Sequence, residues 1–139
     1  MLRRLNQNDI PECLHIAKAN WGIDIAQSCH VELGQAFNSA VWKPNFYVAE
    51  ENQRVVGFAG YAASWMHYSI QEITWVNVDP AYQRTGLGRA LVAQCIYDIQ
   101  AVGSVIMLST TLPEYYERWW DFKRCFMKGV DTIMWLDLT

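Results

Sequence analysis

The chain is short of charge: 18% of its 139 residues are Asp, Glu, Lys or Arg, against 52% that are hydrophobic, a balance that excludes intrinsic disorder. It also lacks a basic excess. At a net charge of −3 it has no general basic face, so neither nucleic acid nor an anionic membrane is expected as partner. No apolar run reaches membrane-spanning length. The opening Met1-Leu2-Arg3-Arg4-Leu5 carries two arginines without the apolar stretch of a secretory leader, which makes a cytoplasmic location the expectation. The four cysteines, Cys13, Cys29, Cys95 and Cys125, form no Cys-x-x-Cys pair and have no histidine at ligand spacing. No metal is expected, and the thiols read as reduced and mostly buried. No repeat, low-complexity tract or linker divides residues 1–139, which read as a single domain. Aromatic residues are plentiful, with seven Trp and seven Tyr, and core filling is their expected use.

Periodicity gives the element order. Leu2 to Leu5 suits a short strand. A helix follows, with Asn8 as its cap, Pro11 in its first turn, Ile10, Leu14, Ala17 and Trp21 at helical spacing, and Gly22 as its end. A second helix is predicted from Asp24 to Ala40, with Ile25, Cys29, Leu33, Ala36 and Ala40 on one face. Phe46–Glu50 and Arg54–Ala63 read as a hairpin turning at Glu51-Asn52-Gln53, and Met66–Ser69 as the next turn, so three consecutive antiparallel strands are predicted. Later, Leu91, Val92, Cys95, Ile96, Ile99 and Val102 form one helix stripe stopped by Gly103. Val105–Leu108 looks like a strand buried on both faces, joined in parallel to the strand before the helix. Pro113 opens a last helix, and Phe122–Met127 with Asp131–Leu138 make a closing hairpin around Gly129.

The chain is organised around residues 72–92, where an alternating run, Glu72 to Val78, is broken by Asp79-Pro80 and followed by a glycine-bearing turn and a helix beginning near Gly88. Gly86 and Gly88 permit positive φ and close approach of a ligand. The free N–H groups of the helix start attract an anion, and Arg84 and Arg89 add guanidinium groups shaped for phosphate. Two phosphate motifs fail on spacing. Leu91 stands where the dinucleotide fingerprint needs a third glycine, and Arg89-Ala90 stand where a nucleotide-hydrolase loop needs Lys-Ser/Thr.

What does match is Gln/Arg-x-x-Gly-x-Gly/Ala, met by Gln83-Arg84-Thr85-Gly86-Leu87-Gly88 after Val76-Asn77-Val78-Asp79-Pro80. This stretch resembles the acetyl-CoA loop of the GNAT N-acetyltransferases. The element order is similar to that family over essentially the whole chain, from Asp9-Ile10-Pro11 to Trp135-Leu136-Asp137-Leu138. The resemblance implies an α/β (α+β) fold with a mixed, mostly antiparallel sheet flanked by helices and splayed at its central strands. It implies acetyl-CoA as cofactor and CoA as product. The backbone of Val76, Asn77 and Val78 would hold the pantetheine arm, and Arg84, Thr85, Gly86, Leu87, Gly88, Arg89 and Ala90 the pyrophosphate.

The same resemblance implies direct acetyl transfer to a primary amine of a small molecule or protein. A lysine-like amine, with a pKa of about 10.4, must lose a proton before it attacks. Glu72 stands at the position of the family's glutamate base, and its strand face, shared in this reading with Thr74, Val76 and Val78, would raise its pKa by partial burial. Tyr115-Tyr116-Glu117-Arg118 resembles the family's Phe-Tyr-Glu, which places Tyr116 as the acid protonating the departing thiolate, with Tyr115 as fallback. Ser109 and Leu112 replace the family's asparagine and alanine, and Ser109 is the expected cofactor contact there. Trp120-Asp121-Phe122 replaces the usual Gly-Phe. The acceptor site is expected around Trp21, Asp24, Gln27, His30 and Glu32, with Trp65-Met66-His67-Tyr68 opposite. His15, His30 and His67 read as ordinary histidines rather than bases. The main competing reading is a catalytically silent acyl-CoA sensor of the same fold, and the aromatic C-terminal hairpin offers a surface for a homodimer.

Overall fold

The computed structural model describes residues 1–38 and 42–139. Among the described residues seven strands form one sheet in the order β1-β2-β3-β4-β5-β7-β6. They are β1 (Leu2–Arg4), β2 (Asn45–Glu51), β3 (Arg54–Ala63), β4 (Ile70–Val78), β5 (Val105–Thr110), β6 (Lys123–Lys128) and β7 (Asp131–Asp137). Helices α1 (Ile10–Trp21) and α2 (Ile23–Gln35) pack on one face, and α3 (Leu87–Ile99) and α4 (Pro113–Trp120) on the other. Every pairing is antiparallel except β4 with β5. That one parallel pair is the strand–helix–strand crossover that the stripe of α3 predicts.

The sheet is buried on both faces by alternation. Phe46 and Val48 of β2 with Phe58 of β3 pack under α1 and α2 against Cys13, Ile16, Ala17, Cys29 and Leu33. Tyr47, Ala49, Ala59 and Tyr61 face α3, whose Leu91, Val92, Cys95, Ile96 and Ile99 are buried. α3 is also pinned by polar contacts: the Tyr47 and Tyr61 hydroxyls donate to Asp98 Oδ2 at 2.7 and 3.0 Å, and Gln94 donates to its Oδ1 at 3.1 Å. Cys13, Cys29 and Cys95 are buried thiols and Cys125 is exposed, as the composition suggests.

Several boundaries differ from the sequence reading. Asn6, not Asn8, caps the first helical turn, with Asp9 completing a reciprocal capping box. α2 ends at Gln35, and its buried face is Ala26, Cys29 and Leu33; Ile25 is exposed. Of the expected extension to Ala40, Ala36, Phe37 and Asn38 form a turn and bend instead, and residues 39 and 40 lie outside the described residues. α3 ends at Ile99, leaving Val102 exposed. Gly103 is needed for packing instead: a Cβ there would come within 2.9 Å of Gln71 and 3.0 Å of the Ser69 carbonyl. β5 alternates, with Ile106 and Leu108 buried in the core on the α3/α4 side and Val105 and Met107 half-buried on the opposite face, where the α1/α2 core does not reach them.

A further departure lies in β4. Phe58 pairs with Asn77 and Gly60 with Thr74, so two steps on β3 face three on β4. The extra residue is accommodated by Trp75, whose φ of 54° is left-handed, a conformation that costs a bulky residue about 1–2 kcal/mol. This bulge separates the strand's two ends by face. Glu72, Thr74 and Asn77 share the α1/α2 side, while Val76 and Val78 pack toward α3. The face expected to be common to Glu72, Val76 and Val78 therefore does not exist.

Candidate active site

β4 and β5 are hydrogen-bonded only from Ile70 with Val105 to Glu72 with Met107. Beyond that point β4 continues to Val78 and β5 to Thr110 with no ladder between them, while β5 stays zipped to β7 across its whole length. The sheet is therefore split at its centre. Two strand edges with unpaired backbone groups line the opening, which is what an extended amide-bearing ligand requires.

The open end runs into the turn after β4. Asp79 Oδ1 accepts from the Ala81 N–H at 2.9 Å, capping a single 3₁₀ turn, and the Thr85 hydroxyl donates to the Tyr82 carbonyl at 2.6 Å. Arg84 (φ 64°) and Gly86 (φ 88°) then take left-handed conformations, and α3 begins at Leu87. Gly88, expected to share that conformation, lies within the helix instead. Ala90 is the first residue bonded back to Gly86, so among the described residues the N–H groups of Leu87, Gly88 and Arg89 have no protein partner. A Cβ on Gly86 would have only Arg89 Nη2 near it, at 3.9 Å. Open backbone donors, a helix start and a cation thus converge on one turn, which fits phosphate.

Two aromatic residues of α4 frame this turn. The Arg89 guanidinium lies over the Trp119 ring, and the Tyr115 hydroxyl is 3.9 Å from where a Cβ on Gly88 would sit. Burial pushes the Tyr115 pKa up, partly opposed by the charge of Arg89. Tyr116 points into the core, in edge contact with Phe122 and tilted against Trp120. Its burial raises the phenol pKa well above the ordinary value, and its hydroxyl has no hydrogen-bond partner among the described residues. The two adjacent tyrosines are held in T-shaped contact at 5.3 Å.

The other expected site residues are distributed along the opening. Val76 and Val78 line its β4 side, and Ser109 lies on the unpaired reach of β5, exposed. The Val78 carbonyl already accepts from Asn20 Nδ2 at 3.0 Å and Gln83 Nε2 at 3.1 Å, which fills its lone pairs. Glu72 is exposed at the paired end of β4, not partly buried as expected. Trp21, Asp24, Gln27 and His30 are exposed along the α1–α2 corner, with Glu32 half-buried; Trp65, Met66, His67 and Tyr68 form the β3–β4 turn, beyond that paired end. Among the described residues no group of three His, Cys, Asp or Glu side chains could hold a metal, and no helix is long and apolar enough to cross a membrane. Sequence reading missed Asn20, the role of the Gln83 side chain, Trp119 and the bulge at Trp75.

The sheet is thus split between its central parallel strands, and the open edge of β4 runs into a turn with free backbone donors. The family model for the Acetyltransferase (GNAT) domain matches residues 42–119, more than half of the sequence, and the chain belongs to the GNAT acetyltransferase family. Solved structures share its fold from end to end. A GNAT-family protein from Desulfovibrio desulfuricans superposes with a TM-score of 0.86 at 20% identity, covering 100% of this chain and 99% of the other. The PaiA N-acetyltransferase of Thermoplasma acidophilum in complex with coenzyme A gives 0.76 at 15%, covering 99% and 98%. An aminoglycoside 6'-N-acetyltransferase complexed with coenzyme A gives 0.82 at 14%, covering 100% and 97%. No curated protein matches the sequence.

Proposed function

We propose that the protein transfers the acetyl group of acetyl-CoA directly to a primary amine of a small molecule or a protein. The observation that carries this reading is the gap between β4 and β5 opening onto the donors of residues 84–89. Family membership and the coenzyme A complexes of two proteins of the same fold support it. The pyrophosphate would rest on the N–H groups of Leu87, Gly88 and Arg89, with Arg84, Thr85, Gly86 and Ala90 shaping the turn. Val76, Asn77 and Val78 would supply backbone to the pantetheine arm, through groups other than the occupied Val78 carbonyl, and Ser109 would face it from β5.

When bound, acetyl-CoA supplies an activated thioester. The chain's part is to position it, to take a proton from the amine and to give one to the leaving sulfur. Tyr116 is our candidate for the second task because Tyr115-Tyr116-Glu117 matches the family's Phe-Tyr-Glu; burial keeps its hydroxyl protonated but makes it a weaker proton donor than a free phenol. Tyr115 is the second candidate, favoured by its hydroxyl lying beside the first turn of α3. Glu72, exposed on the α1/α2 side of β4, is our candidate to accept the amine's proton, in exchange with solvent. We place the protein in the cytoplasm and read the exposed β6 edge as a site for a second copy, which size-exclusion chromatography with light scattering tests.

Calorimetric titration with acetyl-CoA, with CoA and ATP as comparisons, followed by thiol release across a panel of amines, tests the whole reading. Micromolar binding, on the order of −8 kcal/mol, with thiol release is the expected result. Binding with no release on any amine would favour the silent sensor, and ATP binding in preference to CoA would overturn the assignment of the turn.

A further inference from the structure

Asn77 is 3% exposed and lies on the α1/α2 side of β4. Its side-chain oxygen accepts from the Trp21 indole N–H at 2.7 Å and from Asn20 Nδ2 at 3.1 Å. Two donors converging on one atom require it to be the oxygen, so the amide orientation is fixed by chemistry. Its Nδ2 is then sealed in the interior with no partner among the described residues. Buried amide nitrogens are seldom left unpaired, so a carboxamide is retained here for what its oxygen holds.

That oxygen holds the corner between α1 and α2. Gly22, at φ 91°, turns the chain immediately after Trp21, and Trp21 itself is half exposed. The same network continues to the phosphate turn. Asn20 Oδ1 accepts from Gln83 Nε2 at 3.1 Å, and Asn20 and Gln83 both donate to the Val78 carbonyl. Gln83 directly precedes Arg84, the first left-handed residue of the turn. Four side chains from α1, β4 and the turn thus form one continuous hydrogen-bonded path.

We propose that Asn77 is a positioning residue that couples the two sides of the active site, transmitting occupancy of the turn at residues 84–90 through Gln83 and Asn20 to Trp21 and the α1–α2 corner. The proposal rests on the reading of that turn as the CoA phosphate site. A shift of the turn on phosphate moves Gln83, and Asn20, which shares the Val78 carbonyl with Gln83 and the Asn77 oxygen with the Trp21 indole, readjusts with it. Trp21 is therefore set for acceptor only when the cofactor is in place. The coupling works in both directions, so a ligand held at Trp21 strengthens CoA binding.

The test uses protein labelled with 5-fluorotryptophan, with the Trp21 resonance assigned by Trp21→Phe and CoA as the titrant, monitored in parallel by calorimetry. Trp21 is expected to shift as CoA binds. Asn77→Leu should abolish that shift while leaving CoA binding measurable. Gln83→Ala, at an exposed position, should do the same even where Asn77→Leu fails to fold. CoA binding with the Trp21 signal unmoved, or with the shift intact in Gln83→Ala, overturns the coupling and leaves the cofactor site standing. Absence of CoA binding to the parent protein overturns the cofactor site and the coupling with it.

Discussion

The guanidinium carbon of Arg89 lies 4.0 Å from the ring centroid of Trp119, and Arg89 Nη2 also borders the open space at Gly86. The indole therefore holds the cation over the turn before any ligand arrives. Both partners are exposed, and at such a site a cation–π contact is worth about 0.5–1 kcal/mol. Trp119→Ala should weaken CoA binding about twofold to fivefold through loss of this placement. Arg89→Ala should weaken it at least as much and reduce its salt dependence, both read by calorimetry at two ionic strengths.

Gly86 combines a positive φ with an open Cβ direction. Gly86→Glu should fold, losing about 1 kcal/mol for the left-handed backbone. It should lose CoA binding, because its carboxylate would occupy the turn and neutralise Arg89. Thermal unfolding and calorimetry on the same sample separate the two effects; retained affinity would contradict the phosphate assignment.

Tyr116 and Tyr115 make different predictions as the acid. Tyr116→Phe should lower kcat by about 10²-fold or more with CoA affinity nearly unchanged. Tyr115→Phe should act mainly on CoA binding if its hydroxyl only borders the turn. Both phenol pKa values are raised by burial, so an acid that acts when protonated stays active up to and beyond the ordinary value of 10.0. The alkaline fall in kcat should therefore lie above pH 10 and be absent from the variant lacking the true acid.

Asp9 binds Arg3 through both oxygens, at 2.7 and 2.9 Å, and accepts from the Asn6 N–H at 2.8 Å. Burial alone would raise its pKa, but the hydrogen bonds and charge of Arg3 together with the Asn6 bond hold it below the ordinary 3.8. A depressed folded value means stability present above pH 3.8 and lost as pH falls through the lower folded value. Asp9→Asn should cost about 2 kcal/mol at pH 7 and flatten the acid limb of a melting-temperature profile.

The tyrosines that donate to Asp98 have the opposite linkage. Burial, reinforced by Asp98, pushes Tyr61 up to about 12. A raised folded value gives stability that is full below the ordinary 10.0 and lost as pH rises toward 12. Asp98→Ala should strand both hydroxyls, lower stability by about 2–3 kcal/mol and alter that alkaline limb, as followed by tyrosinate absorbance and circular dichroism.

The order of elements and the parallel crossover were legible because they rest on local periodicity: Leu91, Val92, Cys95, Ile96 and Ile99 declare a helix face whatever surrounds them. The turn was legible because Gly86 and the arginines carry its chemistry in their residue types. The facing of Glu72 was not, since strict alternation is broken by a tryptophan in a left-handed conformation that residue preference argues against. The Asn20, Asn77 and Gln83 network joins residues 57 and 63 apart, and polar residues paired only in space leave no local pattern. Gly88 shows a related limit: its motif position was recognisable, but its helical backbone followed from where α3 begins.

The bulge at Trp75 acts as the stop on a zipper. β4 and β5 are parallel and already engaged through Glu72 and Met107, and each continues as an unsatisfied edge that invites the next bond. A bulge bends its strand and tightens its twist, carrying β4 away from β5 just past the last closed tooth. Deleting Trp75 would leave two steps against two opposite β3, keeping Glu72, Thr74 and Asn77 on their present side while removing the bend. The edge of β4 toward Val78 could then close on that of Leu108–Thr110, giving a flatter, sturdier sheet that had sealed its own doorway.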